Sequence, residues 1–548
     1  MSDIGQIERE TQNRLINLFQ NELGYSYLGN WEKREGNRNV EEDILKNWLV
    51  NKKKLSTDLV DRAISEVNKV SDAKGNSLYD INKKFYSLLR YGVNVQLAIG
   101  QNRQTVWLID WDNPENNDFA IAEEVTIDSS HYKKRPDIVL YINGIAIGVL
   151  ELKRSTVSIS EGIRQNLDNQ KHIFIKPFFN TIQFVLAGND VQGLEYGTIE
   201  TKEKYFLKWK EVSQEKDKAC PYLLEITKSI REKSGKHPYP LDKHIIEMFN
   251  KERFIELLRD FVVFDRGIKK LCRPNQYFGI KSAQDFIRRR EGGIIWHTQG
   301  SGKSLTMVWL TKWIRRYNPK ARVLIITDRE ELDEQIEKVY KGVDEEIYRT
   351  TSGRDLLEKL NDTSPWLLCS LIHKFGRKEE GDEKDVDNFL ADLKRSIPTD
   401  YSAKGDIYVF VDECHRTQSG KLHKAMKEFV PNALFIGFTG TPLLKTDKQT
   451  SLEIFGPYIH TYKFDEAVQD KVVLDLRYEA RDVKQNITSH DNIDQWFELK
   501  TQGLTDFKKT ELKQKWGTLR NVFSSKSRLE KIVMDILMDM ARKERLQN

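Results

Sequence analysis

Trp296-His297-Thr298-Gln299-Gly300-Ser301-Gly302-Lys303-Ser304 decides how the second half of this chain is read, and Asp412-Glu413-Cys414-His415 completes the reading. The apolar run Ile294-Ile295-Trp296 leads into the glycines, and a helical pattern follows from Ser304 to Arg316. Glycines at a strand–loop–helix junction let backbone N–H groups point at phosphate oxygens, and the helix start adds its positive dipole end. The pattern assigns Lys303 to the β and γ phosphates of ATP and Ser304 to Mg²⁺, with Thr298, Gly300, Ser301 and Gly302 shaping the loop. The full pattern wants Gly where this chain has His297. Asp412 ends the apolar run Ile407-Tyr408-Val409-Phe410-Val411, where its carboxylate reaches a Mg²⁺-bound water. Glu413 is then the group that orients and deprotonates the attacking water. His415, Thr439 and Thr441 fall where a γ-phosphate sensor coupling hydrolysis to movement is expected.

Four runs are nearly continuous in apolar residues: 322–327, 366–370, 407–411 and 433–437. Such runs mark parallel strands buried on both faces, hence a doubly wound α/β lobe with helices on both faces of a parallel sheet.

Towards the N-terminus, Ile4, Ile7, Leu15, Leu18 and Phe19 fall at helical spacing. Strands are predicted at 106–109, 137–142, 145–153 and 181–187, with Asn143-Gly144 as a hairpin turn between the middle two. Asp137 follows Pro136, and Glu151-Leu152-Lys153 lies on the returning strand, the PD-(D/E)xK nuclease pattern. Two carboxylates on one metal clamp a scissile phosphate and a water, and the lysine positions that water. Glu151 and Lys153 share a strand face. Asp137 sets a condition. A strict two-residue turn pairs Asp137 with Leu150 and turns Glu151 away. The site therefore requires a longer loop or a bulge near Gly144 that pairs Asp137 with Glu151.

The expected domains are 1–215 (nuclease), 216–249 (a polar, Lys-rich linker with Pro238 and Pro240), 250–470 (motor lobe) and 471–548 (a connector opening a second lobe). No late Gly-Arg-x-x-Arg-like element occurs in 471–548; the helicase-type motors that the phosphate loop resembles supply an arginine from a second lobe, so by that resemblance the chain is expected to bind ATP and hydrolyse it poorly. The net charge of +5 over 548 residues is too small to define a nucleic-acid binder by itself. Lys133-Lys134-Arg135, Arg288-Arg289-Arg290 and Arg315-Arg316 are local basic clusters, equally readable as solvated faces. Cys220, Cys272, Cys369 and Cys414 show no paired spacing, which argues against a zinc site or a disulfide framework and favours a reducing, cytoplasmic setting. No apolar run approaches the ~20 residues that span a bilayer.

The motor set resembles superfamily 2 helicases and translocases, whose first lobe is RecA-like. By that resemblance Gln276 reads adenine, and Thr327-Asp328-Arg329 with Gln335 contacts a DNA strand. The order Asp137 to Lys153, Asn169-Gln170 with Phe174, Gln276 to Ile280, then Thr298 to Ser304 resembles the R (restriction and motor) subunit of type I restriction–modification enzymes. The resemblance implies a type I site-specific deoxyribonuclease that translocates double-stranded DNA with ATP and Mg²⁺ and cleaves unmethylated DNA at a distance. Methylation and specificity subunits would be its partners. It also implies that Gln170 assists the nuclease site, with Phe174 where that family has Tyr. Glu8 or Glu10 on the first helix would complete the metal site, the alternative for either being a place on a solvated helix face. The competing reading is a superfamily 2 translocase or repair helicase whose N-terminal domain binds DNA without cutting it. A third is a docking fragment with a degenerate motor, against which Lys303, Asp412 and Glu413 argue.

Overall fold

The computed structural model describes residues 8–75, 77–97, 102–129, 132–211, 221–234, 237–327, 330–343, 345–371, 391, 393–397, 401–414, 426–441, 454–476, 490–516 and 526–542. The chain forms two compact units, Met1–Val473 and Leu474–Asn548.

The first unit carries two seven-stranded sheets. In the N-terminal sheet the strands β1 (Ser26–Asn30), β2 (Phe119–Glu123), β3 (Ile138–Ile142), β4 (Ile145–Leu152), β5 (Phe184–Asn189), β6 (Gly193–Gly197) and β7 (Leu207–Lys208) lie side by side in chain order. β1–β2 and β4–β5 are parallel pairs, and the others are antiparallel. Every residue of β3 and β4 is buried. The alternation of side chains explains it. Ile138, Leu140, Leu150 and Leu152 join Leu15 and Phe19 of α1 (Glu8–Asn21) in one core. Val139 and Val149 meet Phe178 and Phe179 on the opposite side. There α2 (Ile159–Asn169) also packs Ile159 and Ile163 on Ala187.

The β3–β4 hairpin carries the register that the sequence required. Asn143 (φ 53°) and Gly144 (φ 81°) make a two-residue turn, and Ile142 pairs with Ile145 and Tyr141 with Ala146. Leu140 then pairs with Gly148, so Ile147 is an extra residue, a bulge three positions beyond Gly144. Val139–Val149 and Ile138–Leu150 follow in the shifted register, which brings Asp137 opposite Glu151. The strand expected at 106–109 is cut short. Only Gln104–Val106 is extended, because side chains take over the backbone beyond it. Asn143 Nδ2 donates to the Leu108 carbonyl at 2.9 Å, and the Asp110 N–H donates to Asn117 Oδ1 at 2.8 Å.

The expected linker 216–249 is no tether in its second half. Its residues 240–249 are α3 (Pro240–Phe249), with Leu241, Ile245, Ile246 and Phe249 fully buried. The apolar spacing of those four residues outweighed the prolines, since Pro240 sits at the helix start, where its missing N–H costs nothing. After α4 (Lys251–Asp260) a hairpin, Val262–Asp265 with Ile268–Leu271, sends Lys269 into the N-terminal part. The buried Lys269 Nζ donates to Asn82 Oδ1 at 2.8 Å and Gln183 Oε1 at 2.5 Å. Burial drives its pKa well below the usual lysine range.

The second sheet is wholly parallel. Its strands are β8 (Gly293–His297), β9 (Ala321–Thr327), β10 (Tyr348–Arg349), β11 (Leu367–Leu371), β12 (Asp406–Val411), β13 (Leu434–Thr439) and β14 (Tyr458–Tyr462), in the spatial order β10-β11-β9-β12-β13-β8-β14. α5 (Pro274–Arg288) precedes β8, and α6 (Lys303–Tyr317) follows it. Ile295, Val323, Ile325 and Phe410 face one core, and Ile294, Leu324, Ile326 and Val409 the other. In the second unit, helices span His490–Lys500, Asp506–Trp516 and Lys526–Arg542. Among the described residues no helix is long and apolar enough to cross a membrane.

Gly144 answers two demands at once. Its φ is left-handed, and an added Cβ would lie 2.8 Å from the Glu41 carbonyl oxygen and 2.9 Å from the Leu45 nitrogen. Gly144→Val is expected to cost roughly 2–4 kcal/mol through strain and clash. Calorimetry should show the first unit's unfolding midpoint lowered by several degrees; an unchanged midpoint would mean that the turn is not so constrained.

Candidate functional site: a carboxylate edge and a phosphate loop

Asp137 stands at the start of β3, and Glu151 near the end of β4. Asp137 Oδ2 accepts the Leu152 N–H at 2.6 Å, which ties the half-buried carboxylate to the neighbouring strand. Its own carbonyl accepts Gln12 Nε2 of α1 and the Glu124 N–H, each at 2.9 Å. Glu151 is fully buried, and its Oε2 accepts Gln165 Nε2 at 2.7 Å. Lys153 lies two residues on, partly exposed, with Nζ donating to the Leu152 carbonyl at 2.9 Å. α2 crosses above this pair at Gly162, where a Cβ would sit 3.2 Å from Ala187 Cβ and 3.6 Å from Glu151 Cβ.

Two auxiliary expectations change. Gln170 is not at the carboxylates: its Nε2 donates to the Asn166 carbonyl at 3.1 Å, and its Oε1 accepts the Glu200 N–H at 2.7 Å. The amide that meets Glu151 is Gln165. A helical wheel through Gly162 and Ile163 was the signal, since Gln165 follows Gly162 by nearly one turn on the face above the sheet. Phe174 instead stacks edge-to-face with Tyr132, ring centres 5.2 Å apart. Glu10 is exposed, and the side chain of Glu8, the first residue of α1, lies outside the described residues. Among the described residues no three His, Cys, Asp or Glu side chains converge as a ready metal cage. Two hard carboxylates on adjacent strands are still a donor set that suits Mg²⁺, which keeps waters and adds phosphate oxygens.

The phosphate loop sits at the C-terminal end of β8, beside β13 and two strands from β12. Gly300 (φ 82°) and Gly302 (φ 91°) take the left-handed backbone that the loop needs. Ser301 Oγ donates to the Thr298 carbonyl at 2.5 Å, closing the turn. Lys303 and Ser304 begin α6. Lys303 Nζ lies over Gly440, where a Cβ would be 2.8 Å away, so the Thr439-Gly440-Thr441 segment borders the loop. Thr439 Oγ1 accepts the Thr441 N–H at 3.3 Å. Gln276 is held between Arg273 and the loop: its Nε2 donates to the Gly302 carbonyl at 3.0 Å, and its Oε1 accepts the Arg273 N–H at 2.9 Å. Asp412 ends β12 nearly buried and accepts the Glu413 N–H at 3.0 Å. Glu413 holds a left-handed φ of 49°, uncommon for a residue with a side chain. His415, Asp328, Arg329 and the side chain of Gln335 lie outside the described residues. This is the crevice beyond the carboxyl ends of parallel strands where open α/β sheets bind ligands. The glycines, the lysine and the helix start fit a nucleoside triphosphate.

His297, where the loop pattern wants Gly, has a structural partner that the sequence did not reveal. Its Nε2 is 2.9 Å from His460 Nδ1 on β14, and the two rings are edge-to-face. Gly279 of α5 covers them; a Cβ there would be 2.9 Å from His297 Cε1. Burial, then His460, then Lys303 hold His297 well below the usual histidine range, and burial alone brings His460 down to about 4. The folded pair thus excludes protons that the unfolded chain accepts near 6.5. The stability contributed by the neutral pair is complete above that value and lost as pH falls towards 4. The midpoint of motor-lobe unfolding should drop between pH 6.5 and 4. His460→Gln should flatten that dependence, and an equally steep profile in the variant would refute the assignment.

A parallel α/β sheet with a phosphate loop and an Asp-Glu pair at its strand ends has the architecture of a helicase-like α/β lobe. Here it follows a mixed sheet with two carboxylates and a lysine at one edge. Residues 5–204 match the family model described as type I restriction enzyme R protein N terminus, and residues 275–510 match that of the SWI2/SNF2 ATPase. The MjaIXP type I restriction enzyme endonuclease subunit of Methanocaldococcus jannaschii is 28% identical over 555 residues, which cover 96% of this chain and 51% of that protein. The HindI endonuclease subunit of Haemophilus influenzae is 28% identical over 482 residues, or 80% of this chain and 42% of that protein. The SWI2/SNF2 ATPase core of Sulfolobus solfataricus, solved with double-stranded DNA, aligns at 17% identity over 39% of this chain and 40% of its own, with a TM-score of 0.27. The chain resembles the R subunits of type I restriction enzymes over most of its length, as its motifs implied, and spans about half the length of the curated relatives it matches.

Proposed function

We propose that this chain supplies the endonuclease domain and the first motor lobe of a type I restriction enzyme's R subunit, and acts on double-stranded DNA with ATP and Mg²⁺ beside methylation and specificity subunits. The observation that carries the nuclease reading is the Ile147 bulge. It shifts the hairpin by one residue and brings Asp137, Glu151 and Lys153 to one edge.

In the nuclease, Asp137 and Glu151 would hold Mg²⁺, which supplies Lewis-acid polarisation of the scissile phosphate. Gln165 fixes the orientation of the Glu151 carboxylate through its amide, and Lys153 would hold the attacking water near its own Nζ. In the motor, Lys303 and the loop N–H groups bind the phosphates of ATP, Ser304 and Asp412 would hold its Mg²⁺, and Glu413 takes a proton from the attacking water. Gln276 links the adenine side of the site to the loop through Gly302.

The test is nicking of supercoiled plasmid by the chain, with and without ATP. Mg²⁺ should be required and EDTA should abolish nicking. Lys153→Ala should lower the rate by about 10²-fold or more, while Gln165→Ala should lower it less and raise the Mg²⁺ concentration required. Lys303→Ala should abolish ATP binding and leave basal nicking intact. Equal nicking by the Lys153→Ala protein would remove the nuclease assignment.

A further inference from the structure

One surface of the N-terminal part is not used by the chemistry above. The segment before Asp137 and the segment after α2 border a cleft of about 400 Å³, lined by Lys74, Ile127, His172, Phe174 and Lys176 among others. Tyr132, about half exposed, stacks edge-to-face on Phe174, with the ring planes 61° apart. Lys134 Nζ sits 4.1 Å from the centre of the Phe174 ring.

The charges around the cleft are unbalanced. Lys133 is paired with Asp128 at 3.2 Å and Lys171 with Asp168 at 2.5 Å. Lys74, Lys134 and Lys176 have no acidic partner among the described residues, and Asp128 is the one acid that lines the cleft. Three ammonium groups without an acidic partner, beside a half-exposed Tyr132 and a partly buried Phe174, are the components of a site for a polynucleotide strand. Lysines track phosphates, and a ring offers a stacking face that every base can use. A base can lie on such a ring only when it is not paired in a duplex.

The place in the fold points the same way. Lys134 is three residues before Asp137, and Phe174 follows the helix whose Gln165 touches Glu151. The two segments that border the cleft are thus chain neighbours of the elements that carry the carboxylates. We propose that this cleft is a docking groove for an unpaired stretch of DNA strand beside the bond to be cut. The proposal rests on the nuclease reading for its meaning, but not for its detection.

The experiment uses the full chain and an oligonucleotide carrying 5-iodouracil, supplied as a single strand and as a duplex. After irradiation, the cross-linked peptide should contain residues 132–134 or 172–176 with the single strand. The Lys74→Glu, Lys134→Glu, Lys176→Glu triple variant should bind the single strand about tenfold more weakly or worse, with a log–log salt slope reduced by about two. Tyr132→Ala, at an exposed position that spares the fold, should lose the cross-link. Cross-links confined to the motor lobe, cross-linking by the duplex alone, or unchanged affinity and slope in the triple variant would each overturn the proposal. Lys153→Ala separates the two readings: it should lower cutting by about 10²-fold or more and keep the cross-link. If it cuts normally, the nuclease reading falls while the groove stands on its own cross-link.

Discussion

The pairing register of one hairpin governs the N-terminal domain. Side chains alternate strictly along a strand, so a slip of one residue exchanges the contents of the two faces. β3 and β4 are buried on both sides, and each face has its own core to fill. The turn at Asn143-Gly144 sets one register, and the Ile147 bulge replaces it with another before the strand ends are reached. The Gln183 N–H donates to the Ile147 carbonyl at 2.7 Å, so the extra residue is held by a neighbouring segment. That local defect is what puts a carboxylate from each strand at the same edge.

The motor lobe depends on its parallel sheet in a similar way. Parallel strands bring all their carboxyl ends to one side, so the phosphate loop, Thr439 and Asp412 lie along the same edge although they are far apart in the chain. Beneath the loop, the His297–His460 contact ties β8 to β14, and the glycine of α5 allows the helix to approach. The loop is thus braced from below by a neutral pair and from the side by Gln276.

The two sheets are joined by more than a covalent link. One apolar core runs from Leu15 and Phe19 through the α3 and α4 side chains to Tyr277, Ile280 and Trp309. Lys269 is satisfied by two amides of the N-terminal part, and Arg253 lies 5.5 Å from the Trp209 ring centre and 5.3 Å from that of Tyr277. Tyr277 is the residue next to Gln276, so the edge of the first sheet packs against the helix that touches the phosphate loop.

Much of this was legible in the sequence because it depends on short-range rules. Glycine spacing, buried apolar runs and an acid at a strand end identify the phosphate loop, the parallel sheet and the Asp412-Glu413 pair. The rule of alternation along a strand even required a longer loop or a bulge near Gly144, without saying that it would be a bulge at Ile147. Other features were out of reach because they join residues that no local pattern connects. His460 as the partner of His297, Lys269 between Asn82 and Gln183, and α3 in the core where a linker was expected belong to this class. Gln165 displaced Gln170 for a geometric reason: the wheel of α2 over β4, and not the distance along the chain, decides which amide meets Glu151. The sequence by itself determined which chemistry each half could carry, since that resides in residue types at fixed spacing. Only the tertiary structure decided which side chains face one another, because that follows from register, helix rotation and the closeness that glycines 162 and 279 permit.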